Sequence, residues 1–270
     1  MTQGVLLFAH NNEQINYLLL AYWQSLKIRQ YLDRPCSVVT DQSSIDSLNA
    51  QGLDPTTIFD QIIITSGETL QKKNYCGQRL TFKNVDRCSA FMLTPYEETI
   101  VIDTDILIQS NRLNLLWNNE QDILVCKNSL DIFQRRYTAF EKLSNYGIDF
   151  YWATVFYFKK NRTAEIFFQT LQKISSMYNW YAHAYDIDTN YKRNDFIWSI
   201  ALNELNYPGA VIPFNLFHCL DTDQLVNLSG NTATFHNKKD LVKIADSDVH
   251  VMNKFDLIKF VKKELQCEDI

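Results

Sequence analysis

Two carboxylates, Asp103 and Asp105, sit two positions apart in Ile100-Val101-Ile102-Asp103-Thr104-Asp105-Ile106-Leu107-Ile108, an otherwise apolar run near the middle of the chain. A β-branched, apolar run of this kind reads as a buried strand. Side chains alternate along a strand, so Asp103 and Asp105 are expected on one face and Thr104 on the other. Adjacent carboxylates repel, and each is costly to bury without a cation or hydrogen-bond donors. A hard divalent cation with oxygen-rich ligands answers both costs. The plainer alternative is a strand that ends at Asp103 and leaves Asp105 in a solvated turn.

Other residues of chemical interest fall at the ends of apolar segments. His10-Asn11 follows Val5 to Ala9, Asp41 follows Ser37 to Thr40, and His250 lies in Val249-His250-Val251-Met252. Asn194-Asp195 opens a helical pattern. Taken singly, each has an ordinary explanation. His250 can be a hydrogen-bonded core histidine, Lys254 a solvated charge, Asp41 the end of a strand, and Asp195 an acid favoured by a helix dipole. The aromatic cluster Tyr178, Trp180, Tyr181, Tyr185 and Tyr191 is able to stack on sugars or on bases. Two chemistries fit poorly. A triphosphate-binding loop after the first strand needs glycine, and here it reads His10-Asn11-Asn12-Glu13. An aspartyl-nucleophile phosphatase needs Thr or Val where Leu107 stands, and its motif belongs near the start of the chain.

The elements that position these residues alternate. Val5 to Ala9 reads as a strand, followed by a helix capped by Asn11 or Asn12, with Ile15, Leu18, Leu19, Tyr22, Trp23 and Leu26 on its apolar face. Arg34-Pro35 stops it. Strands at 37–40, 60–64 and 99–103 follow, the last preceded by a helix from Arg79 to Leu93. This β-α alternation predicts an α/β fold with a mixed, mainly parallel sheet. Ligands of such sheets sit beyond the carboxyl ends of strands, which puts His10-Asn11, Asp41 and Asp103-Thr104-Asp105 on one edge. In the second half, 123–126 and 153–158 read as strands, 163–178 as a helix, and 181–188 as a polar aromatic loop. A helix from about Asp195 to Leu205, a short strand at 249–252 and a closing helix from Asp256 to Leu265 complete the pattern.

With 270 residues, 46% of them hydrophobic and 13% aromatic, the chain is compact and not disordered. Its net charge of −5 argues against a polyanion as main partner. No apolar run approaches the roughly 20 residues of a membrane span. Six cysteines lie scattered with no C-x-x-C pair, which fits reduced thiols in a cytoplasmic protein.

The order of these features resembles nucleotide-sugar glycosyltransferases of the GT-A fold, and most of all glycosyltransferase family 8 and its relatives. The segment from Tyr96 to Ile108 carries the resemblance, with Asp41, an Arg-bearing helix and the late His250 in the expected order. The resemblance implies one glycosyltransferase domain over 1–270, with a nucleotide-binding half at 1–108 and an acceptor half at 109–270. It implies that Asp103, Asp105 and His250 bind manganese or magnesium on the diphosphate of a nucleotide sugar, a UDP-sugar by preference. Asp103 would also approach the ribose, with Thr104 beside it. His10, Asn11, Asn12 and Asp41 would line the base and ribose. Arg79, Lys83, Asp86 or Arg87 would approach the sugar and diphosphate, and Lys254 a phosphate. Asn194 and Asp195 would lie at the transferred sugar as catalytic residues. The acceptor implied is a saccharide, with a nucleic-acid base or a protein as alternatives, and a catalytically silent nucleotide-sugar-binding protein as a further one. Two departures stand out. The family's late His is followed by Gly and then Lys-Pro-Trp, whereas here the chain reads His250-Val251-Met252-Asn253-Lys254; Tyr151-Trp152-Ala153-Thr154-Val155 lacks the family's Gly.

Overall fold

In the computed structural model the described residues are 2–66, 71–75, 78–83, 87–127, 129–135, 141–144, 147–187, 191–207 and 210–267. The chain opens with β1 (Gln3–Phe8), α1 (Tyr17–Leu32), β2 (Cys36–Thr40), α2 (Gln42–Asn49) and β3 (Gln61–Ile64). An antiparallel pair follows, β4 (Gln71–Tyr75) with β5 (Gln78–Phe82), then the one-turn α3 (Ala90–Leu93), β6 (Glu98–Ile102) and β7 (Ile106–Leu107). Next come β8 (Ile123–Cys126), β9 (Ser129–Asp131), the small pair β10 (Lys142–Leu143) and β11 (Ile148–Asp149), and the long β12 (Trp152–Lys159). Helices α4 (Arg162–Ser176), α5 (Tyr178–Ala184) and α6 (Asn194–Glu204) lead to β13 (Leu216–Cys219), β14 (Gln224–Ser229), β15 (Thr232–His236), β16 (Leu241–Ala245), β17 (Val249–Val251) and α7 (Lys254–Leu265).

The central sheet has the order β3-β2-β1-β6-β12-β8. Its first four strands are parallel, and β12 runs antiparallel to both its neighbours. All of β2, β6 and β8 is buried, as strands covered on both faces must be. This is the expected mixed, mainly parallel α/β sheet, and strands from both halves of the chain build it. A second sheet, β7-β17-β13-β9, stands beside it, and β14-β15-β16 form a third.

Several local expectations change. The helix expected from Arg79 to Leu93 is strand β5, a 3-10 turn at Arg87–Ser89 and the short α3. The first half of the loop expected at 181–188 is the end of α5, 185–187 are not helical, and Asp188 lies outside the described residues. Helix α1 is capped by Asn16, whose side chain accepts from Leu19 N at 2.9 Å. Asn12 instead caps a preceding turn, accepting from the Gln14 and Ile15 amides, which lets Ile15 enter the core before the helix begins. Asp103-Thr104-Asp105 is not the interior of one strand. It is a turn between β6 and β7, closed by Ile106 N donating to Asp103 O at 3.2 Å. The turn is not solvated either, for Asp105 is 2% exposed.

Candidate functional site

The sheet order reverses between β1 and β6: β2 and β3 lie to one side of β1, and β6 lies to the other. A crevice opens at the carboxyl ends of strands at such a point. A cavity of about 310 Å³ lies there, with Phe8 at the end of β1 and Asp103, Thr104 and Asp105 after β6 in its wall. Gln24, fully buried in α1, holds the turn from behind. Its Nε2 donates to the carbonyls of Asp103 (2.8 Å) and Ile106 (3.1 Å). Because the turn sends the chain from one sheet into the next, β7 pairs with β17 and sets Ile106 opposite His250.

The three expected metal ligands therefore meet. Asp103, Asp105 and His250 each offer one ligand atom, and the three atoms lie within 4.8 Å of one another. Ligand–metal distances of about 2.0–2.6 Å put ligating atoms within roughly 5 Å of each other. Two carboxylates and an imidazole suit manganese, and the carboxylates also suit magnesium. The residues present thus fit one divalent ion. They also carry cations of their own. Arg87, from the 3-10 turn, forms an ion pair with Asp103 and donates to Ala153 O at 3.0 Å. Lys254, at the start of α7, reaches Asp105 Oδ2 at 2.6 Å, and His250 Nε2 lies 3.2 Å from the same oxygen.

These neighbours set the two carboxylates apart. Burial pushes the Asp103 carboxyl up to about 6, against the pull of Arg87. Burial opposes ionisation of Asp105 too, but Lys254 and His250 hold it well below the usual carboxylate range. Trp152 braces His250 edge-on, with centroids 6.2 Å apart, and also packs against the buried His218 at 5.4 Å and Phe150 at 5.3 Å.

Asn194 and Asp195 open α6 and line the same cavity. Asp195 Oδ1 accepts from Ala153 N at 2.9 Å, and Oδ2 accepts from Arg193 Nε (3.1 Å) and Nη2 (2.6 Å). Ser199 Oγ donates to the Asp195 carbonyl and accepts from Tyr151 N, which fixes α6 against the start of β12.

The residues expected at the base and ribose lie farther along the same edge. His10 Nε2 is 2.9 Å from Thr65 Oγ1. Asn11 accepts from Leu18 N, and Asn12 Nδ2 donates to Thr81 O. Asp41 caps α2 through Ser44 N (2.7 Å) and lies 3.7 Å from Lys83 Nζ. Burial opposes it, but hydrogen bonds from Ser44 and Ser43 and the Lys83 charge hold the Asp41 carboxyl below its ordinary value. Asn11, Asn12 and Lys83 line a second cavity of about 440 Å³ beside the first, with Ser43 and Ser47. Arg79 falls in β5, and Asp86 lies outside the described residues. Sequence reasoning missed Gln24, Trp152 and Arg193. Only Gln24 left a signal, as an amide on the apolar face of α1.

The sequence matches no protein-family model and no curated protein. Solved structures match in fold. The galactosyltransferase LgtC in complex with donor and acceptor sugar analogues superposes with a TM-score of 0.54 at 13% identity, over 99% of this chain and 97% of that one. An active-site mutant of LgtC gives 0.54 at 12% identity over the same shares. The glycosyltransferase GlyE of Streptococcus pneumoniae TIGR4 gives 0.44 at 11% identity, over 78% of this chain and 45% of that one. The fold is that of the GT-A-type nucleotide-sugar glycosyltransferases. The likeness to LgtC runs the length of both chains, and it is a likeness of architecture.

Proposed function

We propose that this protein is a metal-dependent glycosyltransferase, moving a sugar from a nucleotide-diphosphate sugar, a UDP-sugar by preference, to a hydroxyl of a saccharide acceptor. One observation carries the reading: Asp103 and Asp105 meet His250 across 145 residues of sequence, inside a cavity at the carboxyl ends of β1 and β6. Transfer leaves negative charge on the departing diphosphate. A manganese or magnesium ion held by these three residues would supply Lewis-acid stabilisation of that charge. Arg87 and Lys254 add fixed positive charge in the same cavity. Thr104 lies between the two carboxylates in the cavity wall, while His10, Asn11, Asn12, Asp41 and Lys83 would flank the base and ribose. Asn194 and Asp195 would orient the transferred sugar. Among the described residues, Tyr191 lines the cavity at 39% exposure and Trp180 on α5 is 59% exposed, a pair suited to stacking on an acceptor saccharide. Cys36 and Cys219 are buried free thiols, which supports a reducing, cytoplasmic setting.

The test is a thermal-shift screen of nucleoside diphosphates and their sugars, with and without Mn2+. A ligand at 100 times its Kd stabilises the folded state by about 2.7 kcal/mol. UDP with Mn2+ should raise the melting temperature, chelation should reverse the rise, and Asp105→Asn should abolish it. Normal metal and nucleotide binding by Asp105→Asn would overturn the assignment. Binding without donor hydrolysis or transfer would leave a silent nucleotide-sugar-binding protein.

A further inference from the structure

We propose that the sugar end of the cavity is built around Arg193 to hold a carboxylate, so that the donor carries a uronic acid. The inference rests on the nucleotide-sugar reading above and narrows its substrate.

A guanidinium has five N–H donors. Asp195 Oδ2 takes two of those of Arg193, one from Nε and one from Nη2. The remaining edge, both hydrogens of Nη1 and the second of Nη2, has no protein partner among the described residues, and Arg193 lines the cavity with its side chain 31% exposed. That edge is a two-pronged fork. The Phe196 ring, 5.0 Å from the guanidinium carbon, and the Asp195 contacts hold it in one orientation. A fork fixed in this way matches the two oxygens of a carboxylate through parallel N–H···O bonds.

Two neighbours add positive potential to this wall, whose lining also includes the carboxylate of Asp221. Lys192 lines it beside Arg193, and α6 opens at Asn194 with the partial positive charge of a helix N-terminus. A sugar hydroxyl both donates and accepts, so a neutral hexose needs acceptors with spare capacity. Asp195 Oδ2 takes two bonds from Arg193 and Oδ1 one from Ala153 N, which leaves Oδ1 a single acceptor position for a sugar hydroxyl. A uronic acid replaces one hydroxymethyl group with a group that only accepts, which is what the wall offers to satisfy.

The experiment compares UDP, UDP-glucose, UDP-glucuronate and UDP-galacturonate, each with Mn2+, by thermal shift and titration calorimetry on the full chain. One of the two uronates should bind at least about tenfold tighter than UDP-glucose, since a paired, charged hydrogen bond is roughly twice as strong as a neutral one. Arg193→Gln should erase that preference while leaving the response to UDP unchanged, which also shows that the variant is folded. Equal or tighter binding of UDP-glucose by the unaltered protein, or a preference that survives Arg193→Gln, would overturn the inference alone. If UDP itself produces no Mn2+-dependent shift, the nucleotide-sugar reading fails and this inference falls with it.

Discussion

Asp195 shows how one residue's surroundings restrict its chemistry. Both its oxygens are engaged, one by a backbone amide and one by a guanidinium, and it sits in the first turn of α6. Held from both sides in this way, the carboxylate is placed to orient a sugar and to stabilise positive charge, not to abstract a proton. Asp195→Ala should lower turnover by about two to four orders of magnitude, the range of a positioned electrostatic group, with nucleotide affinity nearly unchanged. Near-normal turnover would reduce Asp195 to an anchor for Arg193 and Ala153; lost nucleotide binding would move it to the diphosphate. The carboxylate pair teaches a second lesson. Sequence alone treats Asp103 and Asp105 as mutually repelling, so that Asp105→Asn relieves strain. With Lys254 and His250 already on Asp105, the same change removes the carboxylate that both reach and lowers the stability of the unliganded protein. The motif was legible because carboxylates among apolar residues are costly, and the resemblance put His250 beside it; that Lys254 and Arg87 pair with the carboxylates themselves was not legible.

At the scale of elements, the site depends on a turn that no strand pattern displays. The run from Ile100 to Ile108 is apolar enough to pass for one strand, yet β6 and β7 belong to different sheets. Gln24 of α1 spans the break with one amide group. Gln24→Met keeps volume and removes both donors, so it should cost about 1–3 kcal/mol, the penalty for buried carbonyls left without partners. Mn2+-dependent nucleotide affinity should fall with it. Unchanged affinity in calorimetry would show that the strands alone fix the turn. The parallel strands were readable because burial on both faces produces short, unbroken apolar runs. The antiparallel pair β4–β5 was not. Gln71–Tyr75 and Gln78–Phe82 carry little alternation, and their pairing lies in each other rather than in either sequence. The exposed strands β14 and β16 escaped notice for the same reason.

Across the whole molecule, the architecture is set by pattern more than by particular residues, for at 12–13% identity the superposition with LgtC still covers 99% of this chain. A sheet shared by both halves means that the cavity cannot be divided along the chain: Asp103, Asp105 and Arg87 come from one part, His250 and Lys254 from the other. Among the described residues, no helix is long and apolar enough to cross a membrane. The tethered cations in the cavity have an implication for the order of events. A manganese ion arriving alone must compete with Lys254 and Arg87 for Asp105 and Asp103, whereas a diphosphate arriving with it gives both side chains another anion. If the proposed function holds, the two ligands would be heterotropically linked, each raising the other's affinity by the same factor, as thermodynamic reciprocity requires. Lys254→Gln should tighten Mn2+ binding in the absence of nucleotide and weaken nucleotide binding in its presence, a crossing of two calorimetric isotherms. If the variant bound Mn2+ no more tightly than the unaltered protein, there would be no such linkage. Under the proposed function, such linkage would keep the site largely metal-free until a nucleotide is at hand, and the donor would load the ion.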